Sequence, residues 1–282
     1  MYEPKRPPRL YLKTPPLPAM RYGIYFKDTL IDVDDPTIDP LHIHESLEIF
    51  YNARDEVSFL VNGTVYPVKA GQVLISRPGD VHVCIFPESK SYLYGCLWID
   101  TELSSPLFSF LTENDFSPLI TPEEKSPILD LLEELDRIKD DESLGTRALT
   151  LILSILRELS RGHGESRRTT PLPESLTAII RYIDTHCTEI RSVSELVEKF
   201  FISPSTLNRH FRTYLHTAPR EYIEAKRLSH ALALLKNGAS VTKAAEEAGF
   251  PDCSHFIMLF KKKFGKTPLR YQKGLIVKTR KR

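Results

Sequence analysis

An internal repeat constrains this chain more than any other feature of its sequence. Shifting the C-terminal part by 49 residues places Ser205 on Ser254, Leu207 on Phe256, Phe211 on Phe260, Leu215 on Phe264, Pro219 on Pro268 and Tyr222 on Tyr271. A register held over so many apolar and turn-forming positions specifies two copies of one supersecondary unit. Each copy predicts a short helix, Ser194 to Phe200 or Val241 to Ala248, then a tight turn and a second helix. Helix, short turn and helix is the unit that lays its second helix in the major groove of DNA.

Local signals fix the ends of these helices. Ser192 with Glu195 has the spacing of a capping box, and Ser203 followed by Pro204 starts the second helix of the first copy. In the second copy Gly249 supplies the turn and Asp252 the cap. Between the copies, Tyr222, Ala225, Leu228, Leu232 and Leu235 line one face of a connecting helix from Pro219 to about Lys236. Such a helix is roughly 27 Å long at ~1.5 Å per residue, close to the ~34 Å between successive major-groove faces. One chain could therefore fill two adjacent grooves.

Charge supports a polyanionic partner for this part alone. Residues 171 to 282 carry 20 Lys and Arg against 10 Asp and Glu, whereas residues 1 to 170 carry 18 against 27. A basic region can also be merely solvated, or belong to a helical bundle that touches nothing, so the repeat and the charge count only together.

The N-terminal half has a different rhythm. Residues 20 to 100 hold short runs such as Leu47 to Tyr51, Val57 to Val61 and Val73 to Ile75, punctuated by Asn62-Gly63, Ala70-Gly71 and Pro78-Gly79. Short strands at this spacing predict a small β-barrel or sandwich. Two helical stripes follow, Ile128, Leu131, Leu132, Leu135 and Ile138, then Leu149, Ile152, Leu153, Leu156 and Leu159. They could cover the barrel or pair two subunits. Residues 161 to 173 have linker composition. The expected fold is thus α+β and multidomain: a barrel domain with two helices over 1–160, the linker over 161–173, an all-α domain with two helix-turn-helix units over 174–273, and a basic tail over 274–282.

The run Ala244-Ala245-Glu246-Glu247-Ala248-Gly249-Phe250-Pro251-Asp252-Cys253-Ser254-His255-Phe256, continuing through Phe260-Lys261-Lys262-Lys263-Phe264-Gly265-Lys266-Thr267-Pro268 to Tyr271, is similar to the C-terminal signature of AraC-type (AraC/XylS) transcriptional regulators. The resemblance implies reading helices from Pro204 to about Tyr214 and from Cys253 to Phe264. It implies DNA contact by Ser205, Thr206, Asn208, Arg209 and Arg212 in the first, and by Ser254, His255, Ile257, Met258, Lys261 and Lys262 in the second. Arg209 suits guanine and Asn208 suits adenine. Met258 could meet a thymine methyl, or the second helix could chiefly hold phosphate through Lys261 and Lys262. Phe201 stands where a turn Gly or Asn is common, and Gln272 where an Arg often follows the signature Tyr.

A second constellation is His42-x-His44-x-x-x-Glu48, followed by Gly71 and by Gly79-x-x-His82. It resembles the two-part cupin motif, although Asp55 stands where a Gly is expected and Arg77 where a Pro is expected. Residues two apart in a strand share a face, so His42, His44 and Glu48 are expected to point one way. Three His and one Glu suit Zn, Fe or Mn, and no cofactor is certain. The same four residues could line a polar effector pocket without metal. By family analogy the effector is a small molecule, with a carbohydrate as one candidate, and the partners are promoter DNA, a second copy of the chain and RNA polymerase.

No apolar run reaches the roughly 18 residues needed to span a bilayer, and the N-terminus has no signal-peptide core. The expected location is cytoplasmic. Cys84, Cys96, Cys187 and Cys253 show no CxxC spacing and are expected as buried thiols. The leading reading is an effector-controlled, sequence-specific transcription regulator that is not an enzyme. The alternative is a metal-dependent cupin enzyme with an appended helical domain.

Overall fold

The structure, a computed structural model, describes residues 10–11, 21–33, 41–100, 106–111, 116–164 and 172–279. The expected linker over 161–173 lies mostly outside these residues, as do most of the proline-rich N-terminus and the last residues of the tail.

Among the described residues ten strands lie in the N-terminal half: β1 (Leu10–Tyr11), β2 (Arg21–Ile31), β3 (Leu47–Asn52), β4 (Val57–Val61), β5 (Thr64–Val68), β6 (Val73–Ser76), β7 (His82–Ile85), β8 (Lys90–Asp100), β9 (Leu119–Thr121) and β10 (His163–Gly164). They form a seven-stranded sheet in the order β1-β2-β8-β3-β6-β9-β10 and a three-stranded sheet in the order β5-β4-β7. The turn between β4 and β5 is Asn62-Gly63, with positive φ at both positions, as the commonest two-residue hairpin requires. The expected barrel is not hydrogen-bonded into a closed cylinder among the described residues. One reason lies at β7, whose outer edge is taken by His42: its N–H donates to the His82 carbonyl and its own carbonyl accepts from the His82 N–H, both at 3.0 Å.

The layers follow from alternation along the strands. On one face of the large sheet Ile24, Leu47, Ile49, Val73, Ile75, Leu97 and Ile99 pack with two helices, α1 (Ile128–Ile138) and α2 (Gly145–Arg161). On its other face Phe50, Leu74, Tyr92, Tyr94 and Cys96 meet Val57, Phe59, Val61 and Val68 of the small sheet. The helical stripes therefore cover the chain's own sheet. In α2 the buried line runs through Leu151, Ile152, Ile155, Leu156 and Leu159, while Leu149 is half-buried and Leu153 exposed, so the expected stripe is rotated by part of a turn.

The C-terminal half contains α3 (Glu174–His186), α4 (Val193–Lys199), α5 (Pro204–Leu215), α6 (Pro219–Lys236), α7 (Val241–Glu247), α8 (Cys253–Phe264) and α9 (Pro268–Thr279). Ser203 Oγ accepts the Thr206 N–H at 3.1 Å, and Asp252 accepts from Ser254 and His255. The capping box expected at Ser192 does not form. Glu195 accepts instead from the Arg191 N–H at 2.9 Å, and Ser192 makes no side-chain cap. The repeat has one inserted residue: α4 and α7 start 48 residues apart, at Val193 and Val241, while α5 and α8 start 49 apart, at Pro204 and Cys253. Both turns place one residue in left-handed backbone, Phe201 in the first and Gly249 in the second. The extra residue lies between that position and the next cap.

The small sheet is buried on both faces. Leu60, Val65, Val81 and Val83 turn away from the large sheet and join Leu176, Ile180 and Ile183 of α3, Phe211 of α5 and Ile223 of α6 in one apolar cluster. The helical half is thereby docked on the sheet half through a continuous core.

Candidate functional site

Two regions collect the residues with chemistry to offer. In the first, α5 and α8 each present an outer face beside a buried one. Leu207, Phe211 and Leu215 of α5 and Phe256 and Phe260 of α8 are fully buried, which orients each helix about its own axis. Ser205, Asn208, Arg209 and Arg212 are left exposed on α5, and Ser254, Met258, Lys261 and Lys262 on α8. Thr206 is half-buried and shares a hydrogen bond with the Ser203 cap. The Asn208 amide donates to the Pro204 carbonyl at 3.0 Å, so it is held back along its helix. His255 and Ile257 are half-buried: His255 packs edge-on against Phe250 with Nε2 3.8 Å from Glu224, and Ile257 packs on the second-copy core. These two are less open than the resemblance implies.

The departures from the family pattern have local answers. Phe201 adopts φ +50 while its side chain is 97% exposed, so nothing in packing offsets the strain of left-handed backbone. Gln272 donates to the Ala239 carbonyl and ties α9 to the loop before α7.

The second region is the cluster in the sheet half. The Oε2 atom of Glu48 is 2.8 Å from His44 Nε2, 3.3 Å from His82 Nε2 and 4.0 Å from His42 Nε2. Glu48 comes from β3 and His82 from β7, while His42 and His44 come from the segment paired on the edge of β7. The expectation that His42, His44 and Glu48 share one strand face is corrected here, because the chain turns at Glu45-Ser46 before β3 begins. They converge nonetheless. His82 is fully buried and Glu48 nearly so, whereas the His42 and His44 side chains are 32% and 24% exposed, which leaves the cluster open on that side.

Hydrogen bonds set the protonation pattern. His44 Nδ1 lies 2.9 Å from the Ser46 carbonyl and His82 Nδ1 3.0 Å from the Asp80 carbonyl. A carbonyl can only accept, so both Nδ1 atoms carry hydrogen and both Nε2 atoms turn toward Glu48. Burial would raise the Glu48 carboxyl, but hydrogen bonds from the three imidazoles and the charge of His82 hold it well below the usual range. Burial pushes His82 down, and His42 adds to that. Nε2 atoms facing one carboxylate are satisfied in one of two ways: by protons that they donate to Glu48, or by a cation between them to which they present lone pairs. The four ligand atoms lie within 4.8 Å of one another. Three nitrogens and one oxygen, with two imidazoles oriented by backbone carbonyls, fit a divalent transition metal.

Two neighbours of the cluster carry no sequence signal. Trp98 Nε1 donates to Glu48 Oε2 at 2.8 Å, and Cys96 Sγ lies 3.8 Å from Oε1. Both sit on β8, where Glu48 pairs with Trp98 and Phe50 with Cys96. No spacing rule links residues so distant in sequence.

Residues 29–153 match the model of an AraC-like ligand binding domain, and residues 196–274 match that of a helix-turn-helix domain. The chain belongs to the AraC family. It is an AraC-type DNA-binding transcription regulator with an N-terminal ligand-binding domain. The HTH-type transcriptional regulator YbfI of Bacillus subtilis is 24% identical over 221 residues, spanning 77% of this chain and 80% of its own. The HTH-type transcriptional activator RhaS of Escherichia fergusonii is 25% identical over 249 residues, spanning 83% and 88%. Among solved structures, ToxT from Vibrio cholerae O395 aligns over 91% of this chain and 99% of its own at 13% identity, with a TM-score of 0.37.

One glycine-like position shows how this AraC-type chain keeps the expected backbone with another residue. Asp55, at the position of an expected Gly, adopts φ +65 and is held by Lys90 at 3.2 Å. Gly71 and Gly79 have φ +84 and +95. Arg77, in place of an expected Pro, anchors the turn through its backbone N–H to Asp80 at 2.8 Å. No helix among the described residues is long and apolar enough to cross a membrane.

Proposed function

We propose that this regulator binds promoter DNA through two successive major grooves and that occupancy of the His42, His44, Glu48 and His82 cluster modulates that binding. The pair of outward faces on α5 and α8, each oriented by a buried aromatic partner face, carries the reading. Ser205, Thr206, Asn208, Arg209 and Arg212 read the first groove, with Arg209 as the main base reader. Ser254, His255, Ile257, Met258, Lys261 and Lys262 serve the second, where the lysines hold phosphate and Met258 faces a thymine methyl.

The functional divisions are a sensor over 1–160, a linker over 161–173, a DNA-binding domain over 174–273 and a basic tail. The chain acts in the cytoplasm as a homodimer that engages RNA polymerase at its promoter, and it catalyses no reaction. The effector is small and polar, suited to imidazole and carboxylate partners, with a carbohydrate as one candidate class. A divalent metal, Zn, Fe or Mn, fits the same four donors.

Selection of duplexes from a random library by the full chain tests the DNA reading. The expected outcome is enrichment of two half-elements about 10–10.5 bp apart, one helical turn. Recovery of unenriched sequence at moderate salt would exclude it.

A further inference from the structure

The backbone that carries the histidines has a second side. Residues 41–43 and 81–83 form a two-stranded strip, bridged in both directions between His42 and His82 and continued by the Gly79 N–H donating to the His44 carbonyl at 2.9 Å. Alternation splits its side chains. His42, His44 and His82 turn to Glu48, whereas Leu41, Ile43, Val81 and Val83 turn to the helical half and are buried in the same apolar cluster as Ile180, Phe211 and Ile223. Both ends of the strip are also tied to helices or their loops. Glu45 pairs with Lys266 at 2.8 Å, and the Gly79 carbonyl accepts from Ser229 Oγ of α6 at 2.6 Å. Beside them the Asn62 side chain accepts from Lys226 of α6 at 3.3 Å and donates to Asp80 at 2.7 Å.

We propose that this strip is a two-sided wall through which a divalent transition metal on the His42, His44, Glu48 and His82 cluster tightens the docking of the helical half on the sensor half. The proposal rests on the regulatory reading of the cluster given above and names its ligand and its route. The histidine farthest from Glu48 is His42, at 4.0 Å, and its side chain is the most open of the three. A metal held at about 2.0–2.2 Å from each donor draws that side chain inward. Because His42 is bonded to His82 through both backbone groups, fixing its imidazole also fixes Leu41 and Ile43 on the reverse face. Ordering a docking surface beforehand removes part of the entropy that docking otherwise costs. By linkage, docking strengthens metal binding by the same factor as metal strengthens docking, so a change that undocks the helical half lowers metal affinity by up to that factor.

Reciprocity supplies the test. Zinc affinity of the full chain is measured by competition with a chromogenic chelator, for the natural protein and for Lys266→Glu and Ser229→Ala, neither of which touches the metal donors. The expected result is affinity lowered about fivefold or more in Lys266→Glu, within the usual range for coupled sites, and lowered less in Ser229→Ala. Hydrogen exchange should show zinc slowing the amides of 41–45 and of the Ser229 turn of α6 in the natural protein and not in Lys266→Glu. Unchanged zinc affinity in both variants would overturn the coupling, and no zinc binding by the natural protein would overturn the ligand. Should Lys266→Glu fail to fold, Ser229→Ala and the exchange experiment still decide. The duplex selection above is independent: loss of sequence preference with intact zinc coupling would remove the DNA reading and leave this one standing.

Discussion

His44 and Glu48 meet at 2.8 Å without sharing a strand. The carboxylate stands on the large sheet and the imidazole on a segment paired to the small one, so the contact spans the seam between two sheets. Whatever occupies the cluster is held by both sheets at once, and it sits beside the chain's single tryptophan.

Trp98 is therefore a built-in reporter. Drawing Glu48 Oε2 toward a ligand changes the hydrogen bond that it now accepts from the indole N–H. Titration of the cluster with zinc should shift or quench the intrinsic tryptophan emission, and the change should be absent in Glu48→Gln. Identical emission with and without saturating zinc, in protein shown to bind it, would contradict this geometry.

The two reading helices should fail differently. Arg209→Ala is expected to cost about 1–3 kcal/mol at one base position and to relax preference there. Lys261→Ala should instead weaken binding to all sequences alike and reduce the salt slope by roughly one unit. Binding isotherms on a panel of single-base variants at two salt concentrations separate them, and a uniform loss from both would remove Arg209 as a base reader.

Phe201 carries left-handed backbone with no packing return, since its side chain is almost wholly exposed. Phe201→Gly should stabilise the first helix-turn-helix unit by about 1 kcal/mol, visible as a higher urea midpoint at unchanged slope. A lower midpoint would mean that the aromatic ring contributes contacts in the folded chain.

Caps at the starts of α5 and α8 should respond differently to acid. Ser203→Ala is expected to cost about 1 kcal/mol, independent of pH. The Asp252 carboxyl is held below its usual 3.8 by the Ser254 and His255 N–H groups. A lowered acid pKa gives stability that is full above the usual value and is lost as pH falls through the folded value. Asp252→Ala should therefore destabilise at pH 7 and much less near pH 3, as unfolding curves at the two pH values would show.

The sequence by itself carried most of the helical half. Its helices bury faces against near neighbours in sequence, so Ser203, Gly249 and Asp252 marked the starts of α5 and α8 and periodicity set α6, while the family resemblance supplied the ends of α5 and α8 to within a residue. Resemblance to the cupin motif named the four residues of the cluster, but alternation along a single strand does not describe a site assembled across a turn and two sheets. Only the tertiary structure decided that Trp98 joins Glu48, that the sheets remain two, and that the reverse face of the histidine strip is packed against the helices. Those depend on pairings between distant segments, whose register is chosen by burial on both faces and leaves no local mark on the chain.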